Sequence, residues 1–84
     1  MNWAYLVRCK DNSLYAGWTN DLTKRLAAHN NGTGAKYTRG RGPVALAWAG
    51  NYPTKQQAMQ QEALLKKMTK PQKEALVKQY NKEL

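Results

Sequence analysis

The stretch Asp11–His29, DNSLYAGWTNDLTKRLAAH, runs through a turn, a short strand and a helix, and these three elements decide the fold. Its first residues favour a turn because Asp, Asn and Ser side chains hydrogen-bond nearby backbone groups. Leu14–Thr19 alternates as a strand does, and Asn20 or Asp21 is suited to cap a helix over residues 21–30. A strand followed directly by a capped helix indicates a mixed α and β protein.

One face of this helix carries an unusual set of side chains. Leu22, Arg25, Leu26 and His29 recur at spacings of three and four, so they lie side by side on the face that packs against the protein. An arginine and the single histidine of the chain on such a face point to a binding or catalytic role. Each also has a structural alternative, which is a hydrogen-bonded imidazole for His29 and a stem lying over the sheet for Arg25.

A second strand precedes this stretch. Trp3–Cys9 is rich in aromatic and β-branched residues, and together with Leu14–Thr19 it predicts a β-hairpin. Alternation along the two strands allows Tyr5 and Tyr15 to point to the same face, although each alone is an ordinary core tyrosine. Gly17 within the second strand indicates a bulge or the close approach of another backbone segment or a ligand.

The rest of the chain adds one strand and two helices. Thr54 and Thr69 each precede a glutamine by three residues, which is the spacing of a capping box. The predicted elements are a loop over Asn30–Gly42, a strand over Pro43–Asn51 with Val44, Leu46 and Trp48 on one face, a helix over 55–68 and a helix with Pro71 in its first turn that ends near Lys82. The order is therefore ββαβαα, a three-stranded sheet covered by helices in one domain spanning residues 1–84.

Charge limits the class of partner. Fourteen Lys and Arg against five Asp and Glu give a net charge of +9, and three Trp and five Tyr accompany them. Such a field attracts polyanions because each neutralised phosphate releases counterions, so a nucleic acid is the favoured partner. An anionic membrane is disfavoured because no helix sets a uniformly basic face against a strongly aromatic one.

The cysteine and histidine counts exclude two kinds of site. Cys9 has no second cysteine for a disulfide, and together with His29 it is too small a set for zinc. We expect Cys9 to be an inert, buried thiol. In the absence of a recognisable signal peptide or an apolar run long enough to span a bilayer, we expect a soluble, cytoplasmic protein without an organic cofactor.

Glu62 is the acid that lacks an obvious structural role. The other acids are explained as turn, cap or surface-pair residues: Asp11, Asp21, Glu74 and Glu83. Glu62 instead falls on the apolar face of its helix, which is formed by Ala58, Met59, Leu65 and Met68. A carboxylate there must be paired, protonated or bound to a cation. A structural ion pair, for example with Arg25, an edge position that reaches water, and a site for one divalent ion completed by phosphate oxygens all fit this pattern.

The loop after the first helix combines cations, an aromatic ring and glycines. Lys36, Tyr37, Arg39 and Arg41 have the chemistry to follow a phosphate backbone and stack on a base. A solvated loop without function is the alternative, and we favour contact with nucleic acid because the whole chain is basic.

Five residues of the chain resemble the catalytic set of the GIY-YIG nuclease family: Tyr5, Tyr15, Arg25, His29 and Glu62. Trp3–Tyr5 stands where the family has Gly-Ile-Tyr, and Tyr15–Gly17 stands where it has Tyr-Ile-Gly. The resemblance extends over about Trp3–Met68. The segment His29–Pro43, HNNGTGAKYTRGRGP, is especially similar to the small, single-domain YhbQ-like (UPF0213) branch of that family.

This resemblance implies an α+β fold in which a three-stranded antiparallel sheet is flanked by helices. It also implies metal-dependent hydrolysis of a DNA phosphodiester, with Glu62 holding one Mg²⁺ or Mn²⁺ ion, Tyr5 helping to activate water and Arg25 stabilising the phosphate. Tyr15 and His29 would orient groups or carry protons, and the identity of the general base stays open. Because no DNA-binding domain is appended, we expect single-stranded or branched DNA as the substrate, with little sequence specificity, in repair, uptake or recombination.

Two other functions compete with a nuclease. One is a non-catalytic nucleic-acid-binding module on the same fold, which would not require an inward-facing carboxylate at Glu62. The other is a protein-interaction domain that its charge merely keeps soluble, which predicts no salt-dependent affinity for oligonucleotides.

Overall fold

The computed structural model describes residues 1–83, which fold in the order ββαβαα. The strands and helices have the following bounds: β1 (Asn2–Arg8), β2 (Leu14–Thr19), α1 (Leu22–Asn30), β3 (Ala45–Tyr52), α2 (Lys55–Lys67) and α3 (Lys70–Glu83). The predicted α+β class and the order of elements are confirmed. The loop before β3 contains one short element that the sequence did not predict, a 3-10 helix over Lys36–Thr38.

The three strands form one antiparallel sheet in the order β2-β1-β3, so β1 is the central strand. In the β1–β2 register Tyr5 lies opposite Gly17, and Val7 lies opposite Tyr15. Side chains of paired residues share a face of the sheet, so both tyrosines point to the same side, as the alternation had predicted.

Each face of the sheet has its own core. On one face, Tyr5 and Val7 pack against Leu22 and Leu26 of α1. On the opposite face, the apolar side chains of β1 and β2 pack against α2, α3 and the residue Met68 between them. This core contains Ala4, Leu6, Leu14, Ala16, Leu65, Met68, Leu76 and Val77. The free thiol of Cys9 is buried in the core on the α1 side, as expected.

The alternation predicted for β3 is wrong after Leu46. The register against β1 shifts between Leu6 and Val7, which pair with Trp48 and Leu46, so Ala47 is an extra residue in the ladder. Such a bulge turns the following side chains over. Leu46 therefore packs on the α1 side, whereas both Ala47 and Trp48 pack on the α2–α3 side.

The helices begin where the polar residues predicted. Asp21 caps α1 by accepting from the backbone N–H of Lys24 at 3.1 Å, and Thr54 caps α2 by accepting from that of Gln57. At α3 the capping box is reciprocal, since Thr69 and Gln72 each accept a hydrogen bond from the other's backbone N–H. Within residues 1–83, none of the helices has the length and apolarity needed to span a membrane.

Helix α3 is held to the sheet by charge as well as by apolar contact. The guanidinium of Arg8, at the end of β1, donates two hydrogen bonds to the Glu74 carboxylate at 2.6 and 2.8 Å. Lys70 is 3.2 Å from the same carboxylate and donates to the carbonyl of Asn12. These bonds hold the pKa of Glu74 well below its usual value, at about 2. The lysine-rich surroundings of Glu74 predicted pairing, but the strongest partner is an arginine of the sheet.

Candidate active site

Tyr5 and Gly17 form the floor of the site. Tyr5 is completely buried, and its ring lies against the backbone of Gly17 on the neighbouring strand. A Cβ at Gly17 would stand 2.6 Å from Cζ of Tyr5, closer than real contacts allow. A close approach is thus found at this glycine, but the approaching group is the side chain of Tyr5, and not the backbone or ligand that the sequence predicted.

Helix α1 brings Arg25 and His29 onto this phenol. The Tyr5 hydroxyl lies 2.7 Å from Nε2 of His29, and Nε of Arg25 donates to the same hydroxyl at 3.3 Å. His29 is 1% exposed, whereas Arg25 is half-buried and reaches solvent. The face predicted from the spacing of three and four is thus the face that covers the Tyr5 side of the sheet.

Tyr15 completes the aromatic wall around His29. The rings of Tyr5 and Tyr15 each meet the imidazole edge-on, with centroids 5.8 and 5.7 Å away. Tyr15 is half-exposed, so it is the tyrosine of the pair that faces solvent. Of the five residues predicted for catalysis, the four on β1, β2 and α1 form one contiguous cluster.

Glu62, the fifth of these residues, lies on helix α2. Its side chain is 20% exposed, and its carboxylate is 3.6 Å from Nζ of Lys66, one turn along the helix. The predicted alternative of an ion pair with Arg25 is not formed within the described part of the chain. The spacing placed Met59 on the same inner face, but its side chain is exposed. Ala58 and Leu65 are the buried residues of α2.

The charges around Tyr5 act in opposite directions. Burial raises the pKa of the Tyr5 phenol, the hydrogen bond and charge of Arg25 lower it, and the charges of Tyr15 and Glu62 raise it further. The balance of these effects is a raised pKa for the Tyr5 phenol. Burial and the nearby Arg25 cation lower the pKa of His29, so the imidazole is neutral at pH 7.

A divalent ion would have one protein ligand here. Among residues 1–83, no group of three or more His, Cys, Asp or Glu side chains could hold a metal. The Glu62 carboxylate is 20% exposed and lies 3.6 Å from the Lys66 cation, so an oxygen is available to a hard ion. Mg²⁺ is commonly bound by one or two carboxylates together with water and substrate phosphate, and this donor set fits that habit.

The four loop residues predicted to bind nucleic acid are placed differently from one another. Lys36 and Arg39 are exposed. Tyr37 stacks on Tyr15 with ring centroids 5.5 Å apart, so the loop touches the cluster. Arg41 lies over the Tyr37 ring at 4.3 Å and donates to the Asp11 carboxylate at 3.2 Å. The Tyr37 ring therefore already contacts Tyr15 and Arg41, and a base that stacks on it would meet these two side chains.

Sequence reasoning missed Thr38, which is 2% exposed and contacts His29. Its Oγ1 is 2.8 Å from Nδ1 of His29 and donates to the carbonyl of Ala35 at 2.9 Å. Gly34 packs on the same imidazole, and a Cβ there would stand 2.9 Å from Cα of His29. The small residues of the loop were a signal of this close packing.

The chain is similar in sequence to a known catalytic domain. The family model described as the GIY-YIG catalytic domain matches residues 1–75, so the chain belongs to the GIY-YIG family. Its relatives are, more narrowly, UPF0213 proteins. The chain is 54% identical over 77 residues to a UPF0213 protein of Clostridium perfringens, covering 92% of this chain and 83% of that protein. It is 53% identical over 75 residues to the UPF0213 protein YazA of Bacillus subtilis, covering 89% and 76% of the two chains.

Two structures solved by solution NMR share the fold. A UPF0213 protein from Bacillus halodurans is 44% identical and superposes with a TM-score of 0.59. The match covers 93% of this chain and 84% of the Bacillus halodurans chain. A protein from E. faecalis is 39% identical, covers 95% and 85%, and superposes with a TM-score of 0.62. The resemblance inferred from the tyrosine motifs and from the loop His29–Pro43 is therefore confirmed.

Proposed function

We propose that the protein is a divalent-metal-dependent endonuclease that hydrolyses phosphodiester bonds of single-stranded or branched DNA, with little sequence specificity. The observation that carries the proposal is the buried Tyr5 hydroxyl held between Arg25 and His29. Burial raises the pKa of this phenol and Arg25 lowers it, so the phenol proton needs an acceptor in direct contact, which is Nε2 of His29. Membership of the GIY-YIG family and the net charge of +9 support the same function.

Substrate would first meet the exposed side of the cluster. Tyr15 and Arg25 are half-buried and reach solvent, whereas Tyr5 and His29 are buried. Nε of Arg25 is used by the phenol at 3.3 Å, and the other N–H groups of the guanidinium can donate to a phosphate. In this proposal those groups bind the phosphate while Nε stays on Tyr5, which brings the phosphate and its attacking water to the phenol.

The chemical step then uses proton transfers between neighbouring groups. Tyr5 passes its proton to Nε2 of His29, and the phenolate takes a proton from the attacking water. The water oxygen forms a new bond to phosphorus while the bond to the leaving sugar oxygen breaks. That oxygen takes a proton from solvent, and His29 then returns to solvent the proton that it accepted. Arg25 stabilises the charge that develops on the phosphate, and Tyr15 orients the reacting groups. Glu62 would hold one Mg²⁺ or Mn²⁺ ion, which when bound supplies further charge stabilisation on the phosphate oxygens.

The loop would supply non-specific contacts to the strand. A surface depression beside the loop is lined by three cations and one acid: Lys10, Asp11, Arg39 and Arg41. This charge favours a phosphate backbone. Since the contacts would be to phosphate rather than to base edges, discrimination between sequences would be weak.

Cleavage assays with labelled single-stranded, duplex and branched DNA test the proposal, each with Mn²⁺, Mg²⁺ or EDTA. We expect metal-dependent cutting of single-stranded or branched DNA that Glu62→Ala abolishes while binding is kept. Gln60→Ala, an exposed change on the same helix, is the matched control and should cut normally. Binding without cutting under every condition would instead indicate the non-catalytic binding module.

A further inference from the structure

Thr38 contacts the proposed site without taking part in the proposed chemistry. It lies in the 3-10 helix Lys36–Thr38, and its hydroxyl is placed between Nδ1 of His29 and the carbonyl oxygen of Ala35. Both distances, 2.8 and 2.9 Å, are those of good hydrogen bonds. A hydroxyl has a single hydrogen, so it can donate to only one of these two partners.

The positions of the hydrogens follow from the chemistry of these partners. A carbonyl oxygen can only accept, so Thr38 uses its single O–H to donate to Ala35. The bond to His29 must then run the other way, with Nδ1–H donating to the threonine oxygen. A neutral imidazole with its proton on Nδ1 has its lone pair on Nε2.

That lone pair faces Tyr5. Because Nε2 has no proton, the 2.7 Å contact with Tyr5 is an O–H donated by the phenol. The phenol oxygen in turn accepts from Nε of Arg25. Each hydrogen in this series of hydrogen bonds therefore has one acceptor. With the other tautomer, Nε2–H would point at Tyr5, and the imidazole would be unable to take the phenol proton.

We propose that Thr38 is a positioning residue that holds His29 in the Nδ1–H tautomer, so that Nε2 is the acceptor for the Tyr5 proton. The tautomer itself follows from contacts within the protein. Its consequence for catalysis rests on the proposed nuclease function. Thr38 directly follows Tyr37, which is proposed to contact DNA. The same loop would therefore bind DNA and position His29.

The surroundings of the imidazole support this assignment. The ionisable side chains around it are Tyr5, Tyr15 and Arg25. Within residues 1–83 no carboxylate forms a hydrogen bond with His29, so none competes with Thr38 for Nδ1–H. Gly34 brings the loop backbone against the ring and closes that side to water.

Nitrogen-15 NMR tests the tautomer directly, because His29 is the only histidine. In the DNA-free wild-type protein at pH 7.5 we expect a protonated Nδ1 and an unprotonated Nε2. Thr38→Ser keeps the acceptor and should keep this pattern, whereas Thr38→Val removes it and should give a mixture of tautomers. An Nε2–H tautomer in the wild type, or an unchanged tautomer in folded Thr38→Val, would overturn the proposal.

Kinetics separate this inference from the proposed function. We expect Thr38→Val to lower kcat about 10–100-fold with little change in KM, and Thr38→Ser to stay close to the wild-type rate, because partners that fix an imidazole typically have effects of this size. A protein that has the predicted tautomer but never cuts DNA would contradict the nuclease proposal alone. A Thr38→Val variant that has lost the tautomer and still cuts at the wild-type rate would contradict the role of Thr38 alone.

Discussion

The ring of Tyr5 occupies the space that a side chain at Gly17 would need, since a Cβ added there would stand 2.6 Å from Cζ of the phenol. The absence of a side chain at Gly17 on β2 therefore leaves room for the ring of Tyr5 on β1. The two residues lie opposite each other in the paired strands.

Gly17→Ala should therefore displace Tyr5 from Arg25 and His29. We expect a loss of about 1–3 kcal/mol in the free energy of unfolding, the usual cost of overpacking, and a loss of cleavage larger than this stability change explains. Chemical denaturation and single-turnover cleavage measure the two effects. Gly42→Ala is the control, because a Cβ at Gly42 meets nothing within 4 Å. Equal behaviour of the two variants would contradict the packing argument.

The neutral state of His29 makes a prediction about pH. Burial and Arg25 lower its pKa from 6.5, so an NMR titration should give a midpoint below 6.5. Since the folded pKa is lower than the unfolded one, protonation favours the unfolded state. Stability should then be complete above about pH 6.5 and decrease as the pH falls through the folded pKa. A midpoint at or above 6.5 would show that the imidazole is not buried as described.

The Arg8–Glu74 pair should stabilise α3 against the sheet. The pKa of Glu74 falls from 4.5 to about 2, so its contribution is complete above about pH 4.5 and lost as the pH approaches 2. Both side chains are partly exposed, so after discounting for solvent screening we expect Glu74→Gln to cost about 1 kcal/mol at pH 7. Denaturation of both proteins at several pH values measures the difference, which should shrink below pH 4. Lys78→Gln, an exposed change on α3, serves as the control.

The exposed loop cations should contribute to affinity through phosphate alone. For single-stranded DNA, Lys36→Gln and Arg39→Gln should each reduce the slope of log K against log salt by about 0.7, equally for all sequences. Fluorescence anisotropy over a range of salt concentrations tests this expectation. The same slope in wild type and variants would place the nucleic acid elsewhere on the surface.

Local rules predicted most of the fold. Caps such as Asp21 and Thr69, the alternation of β1 and β2, and the face of α1 depend on nearby residues, and all of them are found in the structure. The bulge at Ala47 was not predicted, because it reflects pairing with a strand about forty residues away.

The site was predicted in part for the same reason. Arg25 and His29 share a helical face, and a hairpin aligns Tyr5 with Tyr15, so their proximity follows from local structure. Thr38 reaches His29 only through the path of the loop, which no periodicity encodes.

The central claim is that the Tyr5 hydroxyl takes part in hydrolysis, and Tyr5→Phe tests it most directly. This change removes one oxygen and keeps the ring that packs on Gly17. In single-turnover reactions with Mn²⁺ and labelled branched or single-stranded DNA, we expect cleavage at least about 100-fold slower than wild type, with affinity for the DNA within about twofold. Cleavage by Tyr5→Phe at the wild-type rate would contradict the account.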